Sequence, residues 1–230
     1  MRVGIDSSYG SWNAPVDPDS LEFAYVPIPE EDEQKPIRPG YQKSYYPFEE
    51  SCRRFEILFP ERLLAKNAHL DPDFEHLTYG DTNQKGAQIR KLVEDDIIAF
   101  YASLKLPKSH LNRLLYAIIG LYVVEKVVSA SDVNKEDWDK NAHTRRLFDD
   151  TDYVVFAKRD LSGRLKQCIP IGEWRNRAYR VRKDLLDIWG ELSAHNGYIQ
   201  RSARIPSIGN SLEFYKWFNR QEVPLVQTNY

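Results

Sequence analysis

Three apolar runs rich in β-branched and aromatic residues constrain the fold most strongly. They cover residues 96–101, 115–128 and 152–157. Runs of this kind fit the buried surface of a sheet. The middle run is too long for one uninterrupted flat strand, and Gly120 within it predicts a bulge or a close backbone approach. Three buried strands at uneven spacing indicate a small barrel or a curled sheet.

The last third of the chain has helical periodicity. Its apolar residues recur at helical spacing and form one stripe: Val181, Leu185, Ile188, Trp189 and Leu192. Asn196-Gly197 is a suitable left-handed stop, and Asn210 with Glu213 matches a capping box that starts a second helix. Shorter helices are predicted at residues 84–93 and 135–148. The predicted fold class is α+β, with a mixed sheet or small β-barrel core flanked by helices and a helical C-terminal third.

The chain length of 230 residues suits one large domain or two small ones, and we expect a single domain over residues 1–230. More than half of the 13 prolines lie in residues 1–50, which we expect to be extended and packed along the core. Residues 51–160 would form the β-rich core, and residues 161–230 a helical, basic part.

Several protein classes are excluded. No apolar run approaches the roughly 20 residues of a membrane helix, so we expect no membrane partner. The two cysteines, Cys52 and Cys168, are too few for a disulfide framework or a structural zinc site. These features favour a reducing cytoplasm. They leave the cofactor, the metal and the oligomeric state unknown.

The net charge of −2 conceals an asymmetry. Residues 17–61 contain 11 acidic and 5 basic side chains, a charge of −6, whereas residues 140–183 contain 5 acidic and 12 basic ones, a charge of +7. A basic segment on a nearly neutral chain indicates an anionic partner. The alternative is that the basic segment pairs with the acidic one.

The familiar signatures of dinucleotide, phosphate-loop, serine-hydrolase and zinc-protease sites are absent. Two polar clusters remain near the middle and start of the chain. Asp6, Ser7 and Ser8 follow a strand-like segment and could present backbone N–H groups to an anion, or simply end the strand as a turn. His69, Asp71 and Asp73 flank a stiff proline turn and suit acid–base or metal chemistry, although Asp-Pro is also a common turn starter.

A third cluster combines Asn141, His143, Arg145 and Arg146. Arginines beside a histidine suit a phosphate or carboxylate. If this loop faces a cleft, the nearby arginines should lower the pKa of His143 and make it a base near neutral pH. The alternative is a helix C-terminus, where cations favour the dipole.

Arginines and aromatic residues also alternate in the basic segment. Arginine would contact phosphates while an aromatic ring stacks on bases; the alternative is a core anchor beside solvated arginines. With the third cluster, the candidate nucleic-acid-binding residues are Arg145, Arg146, Arg164, Trp174, Arg175, Arg177, Arg201 and Arg204.

Taken together, these clusters resemble the nucleotide modification associated domain 3 family. The resemblance rests on residues 6–10, on Ala14-Pro15 and residues 26–29, and on the later stretches 69–73 and 141–143. It extends over most of the chain in the same order and is strongest up to about residue 160. Ser11 and Ala142 depart from the glycine and proline expected in those stretches. The resemblance implies a role linked to DNA or nucleotide modification, without a settled mechanism.

The strands near residues 96–101 and 118–124 also look like the strand pair of PUA-like modified-base readers. That pattern is short and apolar, and it makes Tyr101 and Tyr122 candidate base-stacking residues beside Trp174.

Two hypotheses of function follow. In the first, the chain is an enzyme acting on a nucleotide or nucleic acid, with DNA favoured, and Asp6, His69, Asp71, Asp73 and His143 meet in one cleft. In the second, it is a non-catalytic PUA-like module that reads a modified base. An enzyme needs the acids and histidines to converge, whereas a reader needs an aromatic slot of base size.

Overall fold

A computed structural model describes residues 1–8, 10–107, 113–200 and 205–230. The strands in these residues are β1 (Ile28–Pro29), β2 (Ala68–His69), β3 (Thr78–Asp81), β4 (Ile97–Lys105), β5 (Leu114–Ser129), β6 (Tyr153–Ala157), β7 (Gly163–Pro170), β8 (Gly172–Arg175), β9 (Ala178–Val181) and β10 (Leu225–Val226). The α-helices are α1 (Tyr46–Arg53), α2 (Glu61–Leu64), α3 (Asn83–Ile89), α4 (Ala142–Arg145), α5 (Lys183–Trp189) and α6 (Ser211–Asn219).

The long strand β5 organises a six-stranded sheet of order β10-β7-β5-β6-β3, in which β4 also pairs with β5. Its first part pairs antiparallel with β4 and β7, and its last part pairs with β6. The register against β7 shifts between Ile118 and Gly120. A Cβ atom at Gly120 would lie 2.5 Å from the Phe74 ring and 2.9 Å from the Gly163 carbonyl oxygen. This confirms the predicted bulge and close approach at Gly120.

The α+β class is confirmed, but the sheets are open, so the closed-barrel alternative is wrong. At the β3 edge, the Gly80 N–H donates to the side chain of Asp71 instead of to another strand. Helix α5 overlaps the predicted stripe but ends at Trp189, where Gly190 (φ 65°) caps it, so the stop expected at Asn196-Gly197 is wrong. Helix α6 begins after Asn210 as predicted, and the Asn210 side chain accepts the predicted capping bond from the Glu213 N–H at 3.1 Å. Strands β7 to β9 occupy the start of the part predicted to be helical, and Val181, the first residue of the predicted stripe, is the last residue of β9.

The N-terminal segment packs along the core. The Val3 N–H donates to the Tyr101 carbonyl and the Ile5 N–H donates to the Val26 carbonyl. The Tyr25 hydroxyl donates to the Pro72 carbonyl at 2.9 Å, so this segment also supports the loop that follows β2. Within the described ranges, no helix has both the length and the apolar character needed to cross a membrane.

Candidate active site

His69 reaches the site from β2, which pairs with β1 so that His69 lies opposite Ile28. Glu30 directly follows β1, and its Oε2 lies 2.6 Å from His69 Nδ1. Burial alone would raise the pKa of Glu30, but the hydrogen bond to His69 and the charge of Arg146 lower that pKa to about 2. Glu30 is therefore an ionised acceptor that fixes the orientation of the His69 ring.

His143 lies in the short helix α4, whose start is capped by Asn141. The Asn141 side chain accepts a hydrogen bond from the His143 N–H at 2.8 Å. His143 Nδ1 lies 2.7 Å from Asp152 Oδ1, and the histidine is only 4% exposed. Burial lowers the pKa of His143 to about 4, against the opposing hydrogen bond to Asp152, and Arg146 contributes in the same direction as burial. The sequence predicts that the arginines lower this pKa, whereas burial is the largest cause and the charge of His69 contributes more than that of Arg146.

Asp71 follows β2 and is held at the open edge of β3. Both of its carboxylate oxygens accept from the Gly80 N–H, at 2.9 and 3.0 Å, and Oδ1 also accepts from Asn141 Nδ2 at 3.1 Å. Burial raises the pKa of Asp71 well above its usual value, although these hydrogen bonds oppose the shift. Asp71 is thus a carboxyl group held in place by neutral donors.

These side chains converge on one another. The ring centroids of His69 and His143 are 5.2 Å apart, and His143 Nε2 lies 3.7 Å from Asp71 Oδ2. Each of the three residues offers one ligand atom, and these atoms all lie within 4.8 Å of one another. Three residues from distant parts of the sequence thus form one polar group that has the donors for a metal ion.

Two cations pair with Glu30 and Asp152, the carboxylates that are bonded to the site histidines. Arg146 lies 3.3 Å from Glu30 and 3.5 Å from Asp152, and Lys35 lies 2.6 Å from Asp152. Burial alone would raise the pKa of Asp152, but the bonds from His143 and Lys35 lower it far below the usual range. The two histidines are therefore each oriented by a charged and paired carboxylate.

Gly80 leaves the space in which His143 lies. A Cβ atom at Gly80 would lie 2.5 Å from His143 Cδ2 and 2.7 Å from Asn141 Oδ1. Because both neighbours belong to the site, any side chain at this position would displace the His143 ring or its cap.

Asp73 belongs to a different network. Its carboxylate is fully buried and pairs with Arg145 and His76, and it accepts a bond from Asn229 Nδ2 at 2.9 Å. Burial alone would raise the pKa of Asp73, but His76, Arg145 and Asn229 lower it to about 2. Asp73 therefore supports the loop of Asp71, and among the described residues its hydrogen bonds and ion pairs do not include His69 or His143.

The loop that begins at Asp6 lies beside β1. Asp6 pairs with Arg2 at 2.7 Å and accepts from the Ser8 N–H. Ser7 and Ser8 are exposed. Gly10, at the end of this loop, lies against Pro29, whose neighbour Ile28 is paired with His69. A joint site of this loop with His69 stays a prediction.

Three of the arginines assigned to nucleic-acid binding are buried. Arg145 pairs with Asp73, Arg146 pairs with Glu30 and Asp152, and Arg164 donates to the Thr228 carbonyl. Their relative exposures are 3%, 4% and 7%. These side chains form internal ion pairs and hydrogen bonds, so the surface role expected for them is corrected. Arg201 and Arg204 lie outside the described residues.

Trp174, Arg175 and Arg177 lie on the hairpin formed by β8 and β9. Trp174 is 59% exposed, Arg177 is exposed, and Arg175 is half-buried and bonded to Glu173 at 2.8 Å. The hairpin thus presents an aromatic ring and a cation to solvent.

Tyr101 and Tyr122 are core residues, not base-stacking surfaces. The Tyr101 hydroxyl donates to the Ile199 carbonyl, and the Tyr122 hydroxyl donates to the Asp73 carbonyl. Tyr122 also packs against Phe74 and Phe100. Both rings therefore fill the interior where an aromatic slot was expected.

Sequence reasoning missed Glu30, Gly80 and Asp152 as parts of the site. Glu30 was hidden in an acidic run, and Asp152 precedes a strand in which only the apolar residues were considered. For Glu30, a carboxylate one residue beyond the resemblance stretch 26–29 was the available signal.

No curated protein and no solved structure matches this chain. The family profile described as nucleotide modification associated domain 3 matches residues 1–198 of the 230. The match includes His69, Asp71 and His143 together with the carboxylates and the glycine that hold them. This chain therefore belongs to the nucleotide modification associated domain 3 family.

Proposed function

We propose that this chain is an enzyme that acts on a nucleotide or a nucleic acid at a reaction centre formed by His69, Asp71 and His143. One observation carries the proposal: these side chains come from β2, the loop after it and α4, and their ligand atoms lie within 4.8 Å of one another. Convergence of titratable groups from distant segments is the mark of a reaction centre. The family membership supplies the nucleotide-related substrate class.

The arrangement favours an enzyme over a reader of modified bases. A reader needs an aromatic slot that a flipped base can enter, whereas Tyr101 and Tyr122 are buried with bonded hydroxyl groups. The groups at the centre are instead imidazoles and a carboxylate. Their orientation is fixed by Glu30, Asp152 and Asn141, so they are preorganised to act on a ligand.

The Asp6 loop would form one edge of this centre. Exposed Ser7 and Ser8 lie on a loop that packs beside β1, the strand paired to the one that carries His69. Their hydroxyl and backbone N–H groups suit a phosphate of the substrate. DNA is the favoured form of the substrate, because the hairpin of β8 and β9 offers an exposed ring and arginines.

The test is a substrate screen with matched variants. The protein is incubated with nucleoside mono- and triphosphates and with single- and double-stranded DNA, and the products are identified by mass spectrometry. We expect turnover by the parent protein and by Asp187→Asn, an exposed control on α5, and a loss of at least about 100-fold in Asp71→Asn. Equal turnover in Asp71→Asn would contradict the assigned centre, and tight binding of a modified base without turnover would favour the reader.

A further inference from the structure

We propose that His69, Asp71 and His143 bind one divalent first-row transition-metal ion. The site stands on its own geometry, and only the use of the ion in a reaction rests on the proposed function.

The spacing of the three donors fits a metal ion. His143 Nε2 and Asp71 Oδ2 are 3.7 Å apart, which is too far for a hydrogen bond. Two ligands on one tetrahedral ion, each at ~2.1 Å, are separated by ~3.4 Å. The third donor, from His69, lies within 4.8 Å of the other two. Small side-chain adjustments therefore bring all three within bonding distance of one ion.

Both imidazoles are oriented as metal ligands usually are. Nδ1 of His69 is bonded to Glu30 and Nδ1 of His143 is bonded to Asp152. In a neutral imidazole, an Nδ1–H donated to a carboxylate leaves Nε2 as the acceptor. A ligating histidine typically has such an outer carboxylate, which fixes its tautomer and raises its basicity. The pairs Glu30–His69 and Asp152–His143 both have this arrangement, and both histidines lie next to Asp71.

The charge balance also calls for a cation at this point. Glu30 and Asp152 are paired with Arg146, and Asp152 is also paired with Lys35. Asp71 is different, because the basic side chain near its carboxylate, within the described part of the chain, is the imidazole of His143, at the 3.7 Å separation given above. A buried carboxylate held only by neutral donors is costly unless a cation accompanies it. A bound divalent ion would supply that charge.

A largely acidic cleft adjoins the site at Glu30. The cleft has a volume of about 550 Å³, and its charged lining residues are Glu30, Glu31, Asp32, Glu33 and Lys66. Glu30 is both part of this lining and the partner of His69. Acid-lined clefts raise the local concentration of cations, so the acidic run has a role beside the site.

The donor set selects the class of metal. Imidazole nitrogens with one carboxylate suit zinc, iron, manganese, cobalt or nickel, whereas magnesium and calcium prefer oxygen ligands alone. Three protein ligands leave at least one coordination position for water or a substrate oxygen. The site therefore resembles an open catalytic centre more than a closed structural one.

Metal binding is tested without any nucleotide. The chelator-treated protein is titrated with Zn²⁺, Mn²⁺, Co²⁺ and Mg²⁺ by calorimetry, and bound metal is counted by mass spectrometry. We expect one transition-metal ion per chain and much weaker binding of Mg²⁺. Asp71→Asn and His69→Ala should lose the ion, and Glu30→Gln should bind about 10- to 100-fold more weakly. His195→Ala, an exposed histidine control, should bind as the parent does.

Circular dichroism and thermal melting establish that each variant is folded. Should His69→Ala fail to fold, Asp71→Asn, which keeps the side-chain shape, decides the matter. Three results would each overturn the metal site. The parent protein could bind none of the ions, it could bind Mg²⁺ alone, or folded Asp71→Asn could bind with unchanged affinity. Metal binding without turnover of any nucleotide would keep the site and count against the proposed function.

Discussion

His143 uses its two ring nitrogens in different ways. Nδ1 is bonded to Asp152, while Nε2 faces Asp71 across 3.7 Å. The ring is 4% exposed and has Arg146 beside it, so the neutral form is favoured. The same burial should make folding sensitive to acid, because an unfolded histidine titrates at an ordinary pKa.

The stability of the metal-free protein should fall as the pH is lowered. Burial lowers the pKa of His143 to about 4, below the value of about 6.5 in the unfolded chain. The unfolded state therefore binds the proton first, and the contribution of His143 is complete above pH ~6.5 and is lost as the pH falls towards 4. Between pH 7 and 5, we expect His143 to account for up to about 2 kcal/mol.

Urea unfolding of the parent and of His143→Gln, with chelator present, checks this prediction. Asp71 contributes with the opposite sign, because burial raises its pKa and its contribution is lost as the pH rises above the unfolded value. Asp71 is present in both proteins, so the difference between their pH slopes isolates His143. Identical slopes would show that His143 is protonated as readily in the folded state as in the unfolded one.

At the scale of elements, the short strand β10 ties the end of the chain to the site. It pairs with β7. Asn229, three residues beyond β10, is buried and bonds to Asp73 and Phe74 of the loop that follows β2. Asn229 Nδ2 donates to Asp73 Oδ1 at 2.9 Å, and its Oδ1 accepts from the Phe74 N–H at 2.8 Å. This support comes from a residue beyond the range 1–198 matched by the family profile.

Replacing Asn229 by alanine should destabilise the protein by about 1–3 kcal/mol, since a buried N–H and a buried carboxylate oxygen would both lose a partner. The free energy of unfolding in urea measures the effect. Gln227→Ala provides the control, because Gln227 lies in the same tail but is exposed. A loss no larger than that of the control would mean that water replaces the Asn229 amide at little cost.

Local patterns predicted elements better than they predicted side-chain roles. The cap of α6 and the bulge at Gly120 depend on neighbouring residues, and both are confirmed. The predicted stripe of α5 is confirmed at Leu185 and Trp189, whereas Ile188 is exposed. Whether a charge is buried depends instead on a partner far away in the sequence. Arg145 and Arg146 resemble surface cations until Asp73 and Glu30 are placed beside them.

The aromatic residues show the same limit. Tyr101 and Tyr122 lie in strands that periodicity could identify, but their hydroxyl groups are bonded to carbonyls of distant segments. The central polar group was partly predicted, since His69, Asp71 and His143 were candidates. Glu30 and Asp152, which orient the rings, act only through tertiary contacts.

At the scale of the whole molecule, the ion pairs of the described residues join the basic segment to the acidic one through one arginine. Arg146 pairs with Glu30 and Asp32. Lys35 of the early segment pairs in turn with Asp149 and Asp152. Neutralisation of one segment by the other therefore describes Arg146, whereas Arg145 pairs with Asp73 and Asp139. The expected anionic partner stays a prediction, and exposed cations are the ones that could bind it.

The hairpin of β8 and β9 retains an exposed cation and an exposed ring. Asn176 and Arg177 have φ values of 52° and 61°, as a tight two-residue hairpin turn requires. The turn presents Arg177 to solvent, next to the exposed Trp174. Trp174 packs edge-on against Tyr179, which stacks on Tyr116. The Trp174 ring is thus packed against Tyr179 and still exposes surface on which a base could stack.

We therefore predict that single-stranded DNA binds at this hairpin with a salt-dependent affinity. Trp174→Ala should weaken binding of a labelled oligothymidylate by about 1–3 kcal/mol, the usual contribution of one stacked base. Arg177→Ala should reduce the slope of log affinity against log salt by about 1, because one fewer counterion is released. Fluorescence anisotropy at several salt concentrations measures both. Arg220→Ala, an exposed arginine on the C-terminal side of α6, should change neither quantity.

Affinity that is independent of salt, or equal in the Trp174, Arg177 and Arg220 variants, would exclude the hairpin as the nucleic-acid interface. A free nucleotide would then be the better substrate for the central histidines and Asp71.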